Sequence, residues 1–177
     1  MPLTANALPS QVPSFAIPYD AQAAFCSAQT LTATGFLNSI AGVVGTGQLD
    51  LGSSNLINAS SIAGRYVSSW ILNITAMDLS SVDETYRFFL FGSNDVAFGN
   101  GNVELLAAHD FAAVTAGRFI TPLLGASPVN TPSTQVLPFT NLMQKIMYRF
   151  LRAQVVITGT TPTVTVTSWI SSQGINI

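Results

Sequence analysis

The sequence predicts an all-β protein: a jelly roll or β-sandwich of about eight antiparallel strands with an extended, proline-rich N-terminal arm. Three observations carry this. Several segments alternate with a period of two, Gly/Asn/Asp/Pro clusters punctuate them, and no long stretch repeats at helical spacing. The organisation that follows is an arm over residues 1–24 and a single β-domain over 25–177, a chain of 177 residues being long enough to bury a hydrophobic core.

In the arm, Pro2, Pro9, Pro13 and Pro18 recur with apolar residues between them. Proline at that density forbids helix and favours extended chain. Pro13, Phe15, Ile17 and Tyr19 are the candidate interaction residues, since their apolar side chains need somewhere to dock. Three outcomes are open: a clamp on a neighbouring subunit, a seal over the arm's own domain, or disorder.

The strands are read in order. QTLTATGFLNSI (29–40) is rich in Thr and apolar residues, and QLDLG (48–52) alternates. In GRYVSSWILNITAMD, Tyr66, Ser68, Trp70, Leu72, Ile74 and Ala76 share one face, and Val67, Ser69, Ile71, Asn73 and Thr75 the other. TYRFFLFGSND carries the run Phe88, Phe89, Leu90, Phe91, a pattern expected of a strand buried on both faces. GSND and GNGN supply turns, VELLAAHDF is the expected partner strand, and GRFITPLL follows. Pro122, Pro128, Pro132 and Pro138 predict a long loop across residues 121–141. MYRFLRAQVVITG and TPTVTVTSWI close the chain as a hairpin, turning at Gly159-Thr160-Thr161-Pro162. AQAAFCSAQ (21–29) and TNLMQKIMY (140–148) are the only candidates for short helices.

Charge is the unusual global quantity. Asp, Glu, Lys and Arg make up 8% of the chain, against about 25% in an ordinary globular domain. Hydrophobic residues reach 48% and mean hydropathy is +0.43. Charge keeps freely diffusing proteins apart, so its scarcity points to a surface that is covered in the working state. The alternative is a neutral surface of Ser, Thr, Asn and Gln. The basic residues are Arg65, Arg87, Arg118, Lys145, Arg149 and Arg152, and the net charge is −2. No basic arm or run exists to neutralise phosphates, which argues against direct nucleic-acid binding. No apolar run is long enough for a membrane span, and the N-terminus lacks the features of an export signal. Cys26 is the only cysteine, which rules out an intramolecular disulfide and agrees with assembly in a reducing cytoplasm.

Chemistry is sparse. His109 is the single histidine. Asp110 beside it points to the opposite face of a regular strand, so no acid–base pair forms. GVVGTG (42–47) lacks the spacing and the following helix of a dinucleotide site. Asp78, Asp83 and Glu84 lack the glycine-spaced loop of a dedicated calcium site and are read as a solvated turn. Asn58 and Asn73 match the glycosylation pattern, but neither is expected to be modified. Trp70, Phe88, Phe89, Phe91, Phe150 and Trp169 are assigned mainly to the core, with a binding face as the alternative. The sequence therefore predicts no enzyme and no catalytic, cofactor or metal-binding residues.

The layout resembles the small jelly-roll cement (decoration) proteins on the heads of tailed bacteriophages. The likeness runs through SAQTLTATGFLNSI, the Leu-Asp-Leu-Gly element, SSWILNITAMD, YRFFLFGSNDVAF, and the hairpin YRFLRAQVVITG and TVTVTSWI, over roughly residues 27–172. The resemblance implies a homo-oligomer, with a trimer favoured, bound between major capsid protein subunits on the virion exterior. Other virion components (tail, head-fibre or small coat subunits) and a carbohydrate-binding β-sandwich are the alternatives.

Overall fold

The computed structural model describes residues 23–40, 42–45, 47–51, 68–78, 80–81, 83–99, 103–112, 133–140, 142–143 and 146–171. The strands in chain order are β1 (Ala24–Leu31), β2 (Gly35–Phe36), β3 (Ser39–Ile40), β4 (Val43–Val44), β5 (Gln48–Asp50), β6 (Ser68–Met77) and β7 (Thr85–Ser93). They continue with β8 (Val103–Ala112), β9 (Ser133–Phe139), β10 (Leu142–Met143), β11 (Ile146–Met147), β12 (Phe150–Thr158) and β13 (Val164–Ser171).

Two antiparallel sheets face each other. One has the order β1-β13-β6-β9; the other runs β2-β12-β7-β8, with β5 sharing the β2 edge of β12. The first strand thus pairs with the last, β2/β5 with β12, β6 with β9, and β7 with β8. A long antiparallel ribbon, rolled so that its successive pairs fall in alternate sheets, gives this order. It is the jelly roll, with four strand positions in each sheet.

The alternation read from the sequence decides what the roll encloses. Along β12 the residues Leu151, Ala153, Val155 and Ile157 point inward, and along β7 Tyr86, Phe88 and Leu90 do. From the facing sheet come Trp70, Leu72, Ile74 and Met77 of β6, and Val164, Val166 and Ile170 of β13. Phe88 and Phe111 meet edge to face, with centroids 5.9 Å apart. Trp70 Nε1 donates to Ser168 Oγ at 2.8 Å, which satisfies the one polar group of that large buried side chain.

Four sequence expectations need correction. Met77, and not Ala76, is buried at the end of β6, because a bulge shifts the register between Ile74 and Ala76 opposite β13. Within the first helix candidate, Ala24 to Gln29 belong to β1, because Phe25 and Cys26 are buried in the core when that strand pairs with β13. The second helix candidate instead holds the short β10–β11 pair. The 121–141 loop gives way to β9 from Ser133 to Phe139. Pro138 is tolerated there because β9 is an edge strand, paired only with β6 among the described residues. The arm residues Pro13, Phe15, Ile17 and Tyr19 and the segment GRFITPLL lie outside the described residues.

Candidate docking face

The outer face of the β2/β5-β12-β7-β8 sheet is where the sequence's chemistry collects. Strand pairing sets its rows. Phe36, Gln154, Phe89 and Ala108 lie side by side, next to the row Gln48, Arg152, Phe91 and Leu105. Flanking these are Asp50 beside Phe150 on one side and Val156, Arg87 and Asp110 on the other. Phe89 and Phe91 are half-buried and stack at a tilt 5.9 Å apart. The aromatic run of β7 is therefore buried on one face only: Phe88 and Leu90 fill the core, while Phe89 and Phe91 look outward. Trp70 is core as expected. Phe150 belongs to the outer face, and Trp169 packs with Ile71, Ala24 and Val136 on the outer face of the opposite sheet.

Each arginine of this face lies over a phenyl ring. Arg87 Cζ is 5.3 Å from the Phe89 centroid and Arg149 Cζ is 4.9 Å from that of Phe150. Both also hold a carboxylate. Arg87 Nε is 3.2 Å from Asp110 Oδ2, and Arg149 grips Asp50 through Nε at 2.7 Å and Nη2 at 2.8 Å. Asp50 holds the Arg149 guanidinium above its ordinary pKa through that hydrogen bond.

Arg152 differs from both. Its guanidinium lies over two rings, with Cζ 4.9 Å from the Phe36 centroid and 4.4 Å from that of Phe98. Its Nε is buried and has no hydrogen-bond partner. Burial alone pushes its pKa below the usual arginine value, with no carboxylate opposing the shift.

The β7–β8 loop is built to hold Phe98 over Arg152. Asp95 N is fixed by Ser93 Oγ, and Asp95 Oδ1 and Oδ2 accept from Ala97 N at 2.9 Å and Gly99 N at 3.0 Å. Phe98 N donates to Asp95 O at 3.0 Å, and Gln48 Nε2 donates to Val96 O. In this frame Phe98 takes a φ of +54°, a left-handed conformation that is uncommon for a bulky residue. The Ser-Asn-Asp turn was legible in the sequence. The ring it delivers to Arg152 was not, because the contact spans two strands that are far apart in the chain.

His109 turns inward opposite Phe88, with its ring 4.6 Å from that of Phe111. Burial lowers its pKa, and the charge of Asp110 opposes the shift without overcoming it. Glu84 is fully buried rather than solvated, its Oε1 accepting from Ser81 N at 2.8 Å. Asp83 instead fastens Thr160 of the closing turn. Among the described residues no three His, Cys, Asp or Glu side chains converge as metal ligands. GVVGTG supplies Gly42 of the β3–β4 turn and Val43–Val44 of β4 itself, and Asn73 lies mid-strand with its Oδ1 accepting from Thr134 Oγ1.

No protein-family model matches the chain, and a search of curated proteins by sequence finds no match. The fold defines a jelly-roll β-sandwich, and the surface chemistry defines a face rich in phenylalanine and arginine.

Proposed function

We propose that this protein is a non-catalytic structural component of a virus particle: a cement protein on the exterior of a phage head. It binds between major capsid protein subunits as a homo-oligomer, with a trimer favoured, and stabilises the shell by burying area repeatedly at symmetric contacts. The observation that carries this reading is the outer sheet face. Phe36, Phe89, Phe91, Phe98 and Phe150 surround three arginines on a protein whose charged residues amount to only 8%. Aromatic residues and arginine are the side chains enriched at the centres of protein interfaces, where buried apolar area contributes roughly 25 cal/mol per Å². The apolar residues Phe15, Ile17 and Tyr19 of the arm extend that footprint on a neighbouring subunit. Assembly takes place in the host cytoplasm.

The test is co-sedimentation with capsid shells that lack the protein, alongside the free protein's mass by light scattering. Saturable binding at a fixed ratio to the major capsid subunit is the expected result. Deletion of residues 1–22, which spares every described strand, is expected to leave the fold intact and weaken attachment. No binding to shells by a stable free monomer overturns the reading.

A further inference from the structure

Resting on the interface reading above, we infer that Arg152 is the specificity centre of the docking face and receives an Asp or Glu side chain from the protein partner. Three features of the face lead to this. The first is charge balance: Arg87 and Arg149 are matched by Asp110 and Asp50, while the Arg152 side chain has no ion pair among the described residues and its buried Nε has no hydrogen-bond partner. The acid nearest in sequence to the Phe98 ring, Asp95, spends both carboxylate oxygens on loop amides.

The second is geometry. The Arg152 guanidinium carbon lies 4.9 Å from the Phe36 centroid and 4.4 Å from that of Phe98, and phenyl rings offer its N–H donors no oxygen acceptor, so a ligand must supply one. A planar guanidinium edge matches a carboxylate through paired N–H donors. The third is environment. The flanking Phe91, Leu105 and Phe150 are apolar, and Leu105 is among the most exposed large hydrophobic residues of the described chain. An ion pair formed there is shielded from water and gains more than an exposed one. A phosphate polymer needs several unmatched cations, and this face offers one. The partner is therefore a protein segment presenting one carboxylate between apolar side chains.

The preorganised loop supports this assignment. Four hydrogen bonds and a left-handed Phe98 hold one ring in place, and in the isolated chain they leave a buried N–H without a partner. A cost of that kind is expected where a ligand completes the site.

The experiment uses the full chain, labelled so that arginine Nε–H signals are resolved by NMR. The probes are acetyl-Phe-Glu-Phe-amide and its isosteric control acetyl-Phe-Gln-Phe-amide. The Glu peptide is expected to shift the Arg152 Nε–H signal saturably in the millimolar range, at least tenfold more tightly than the Gln peptide. Arg152→Gln should abolish that preference, Arg152→Lys should restore it in part, and Arg149→Gln should leave it unchanged. Equal affinity for the two peptides, no shift, or a shift centred on Arg87 or Arg149 overturns the inference.

Shell binding separates this inference from the functional reading. Shells that hold the wild type and Arg152→Gln equally refute the Arg152 assignment and leave the cement reading standing. Shells that hold neither refute the cement reading, and the peptide result then decides the role of Arg152.

Discussion

Gly159, in the β12–β13 turn, has a φ of +116°, and a Cβ built on it would lie 2.6 Å from Glu84 Cα. Backbone, not a flexible side chain, fills that space. Gly159→Ala is therefore expected to lower stability by on the order of 2 kcal/mol or more, read as a shift of the urea midpoint. His109 makes a different prediction. Burial lowers its folded pKa below the ordinary 6.5, so over the interval between the two values the unfolded chain binds the proton first. Its contribution to stability is complete above about 6.5 and is lost as pH falls through the folded value. Asp78 and Asp83 sit below the ordinary 3.8, held there by hydrogen bonds from Ser80 and Thr160, and their contributions are lost only in stronger acid. The urea midpoint should therefore fall between pH 7 and pH 5 in the wild type and stay flat in His109→Gln. An unchanged decline in that variant would assign the effect to another group.

Gln29 shows how one side chain joins elements. From β1 its Oε1 accepts from Asn38 N at 2.8 Å and Ser39 N at 3.1 Å, while Nε2 donates to Phe36 O at 3.1 Å. These bonds tie the β2–β3 segment, just past the crossover between the sheets, back to β1, and with it the backbone that carries Phe36. Gln29→Leu should cost about 1 kcal/mol and accelerate hydrogen exchange at the Asn38 and Ser39 amides. An unaltered exchange rate at both would refute this bracing role. The alternating strands were the legible ones: β6, β12 and β13 follow the period of two, and β8 pairs with β7 as the turn residues between them predicted, whereas the aromatic run of β7 masked its alternation. Legibility ended where pairing overrides local preference. An alanine-rich stretch carries helix propensity, yet Phe25 and Cys26 are buried through β1, and Pro138 is compatible with a strand only because of the edge position of β9. The Phe/Arg face was half visible. Alternation in FLRAQVVIT puts Phe150, Arg152 and Gln154 on one side, but only the assembled sheet shows Phe36 and Phe98 closing over Arg152.

At the scale of the whole molecule the two outer faces differ. One carries the phenylalanine–arginine rows, and the other carries Thr30, Thr165, Thr167, Asn73 and Thr134 beside the apolar cluster of Trp169, Ile71, Ala24 and Val136. The rolled ribbon that creates these faces also places Cys26 against Val166, 140 residues away in the chain, where burial pushes the thiol pKa up to about 12. At ribosomal speeds, β1 waits roughly 7–30 s for the residues it must pair with. During that wait the thiol is an ordinary, titratable cysteine. Alkylation of Cys26 is therefore a clock on biosynthesis: ribosome-bound chains released before Val164 should label readily, and finished chains should resist. Early protection would show that the roll closes in a different order from the one its pairing requires.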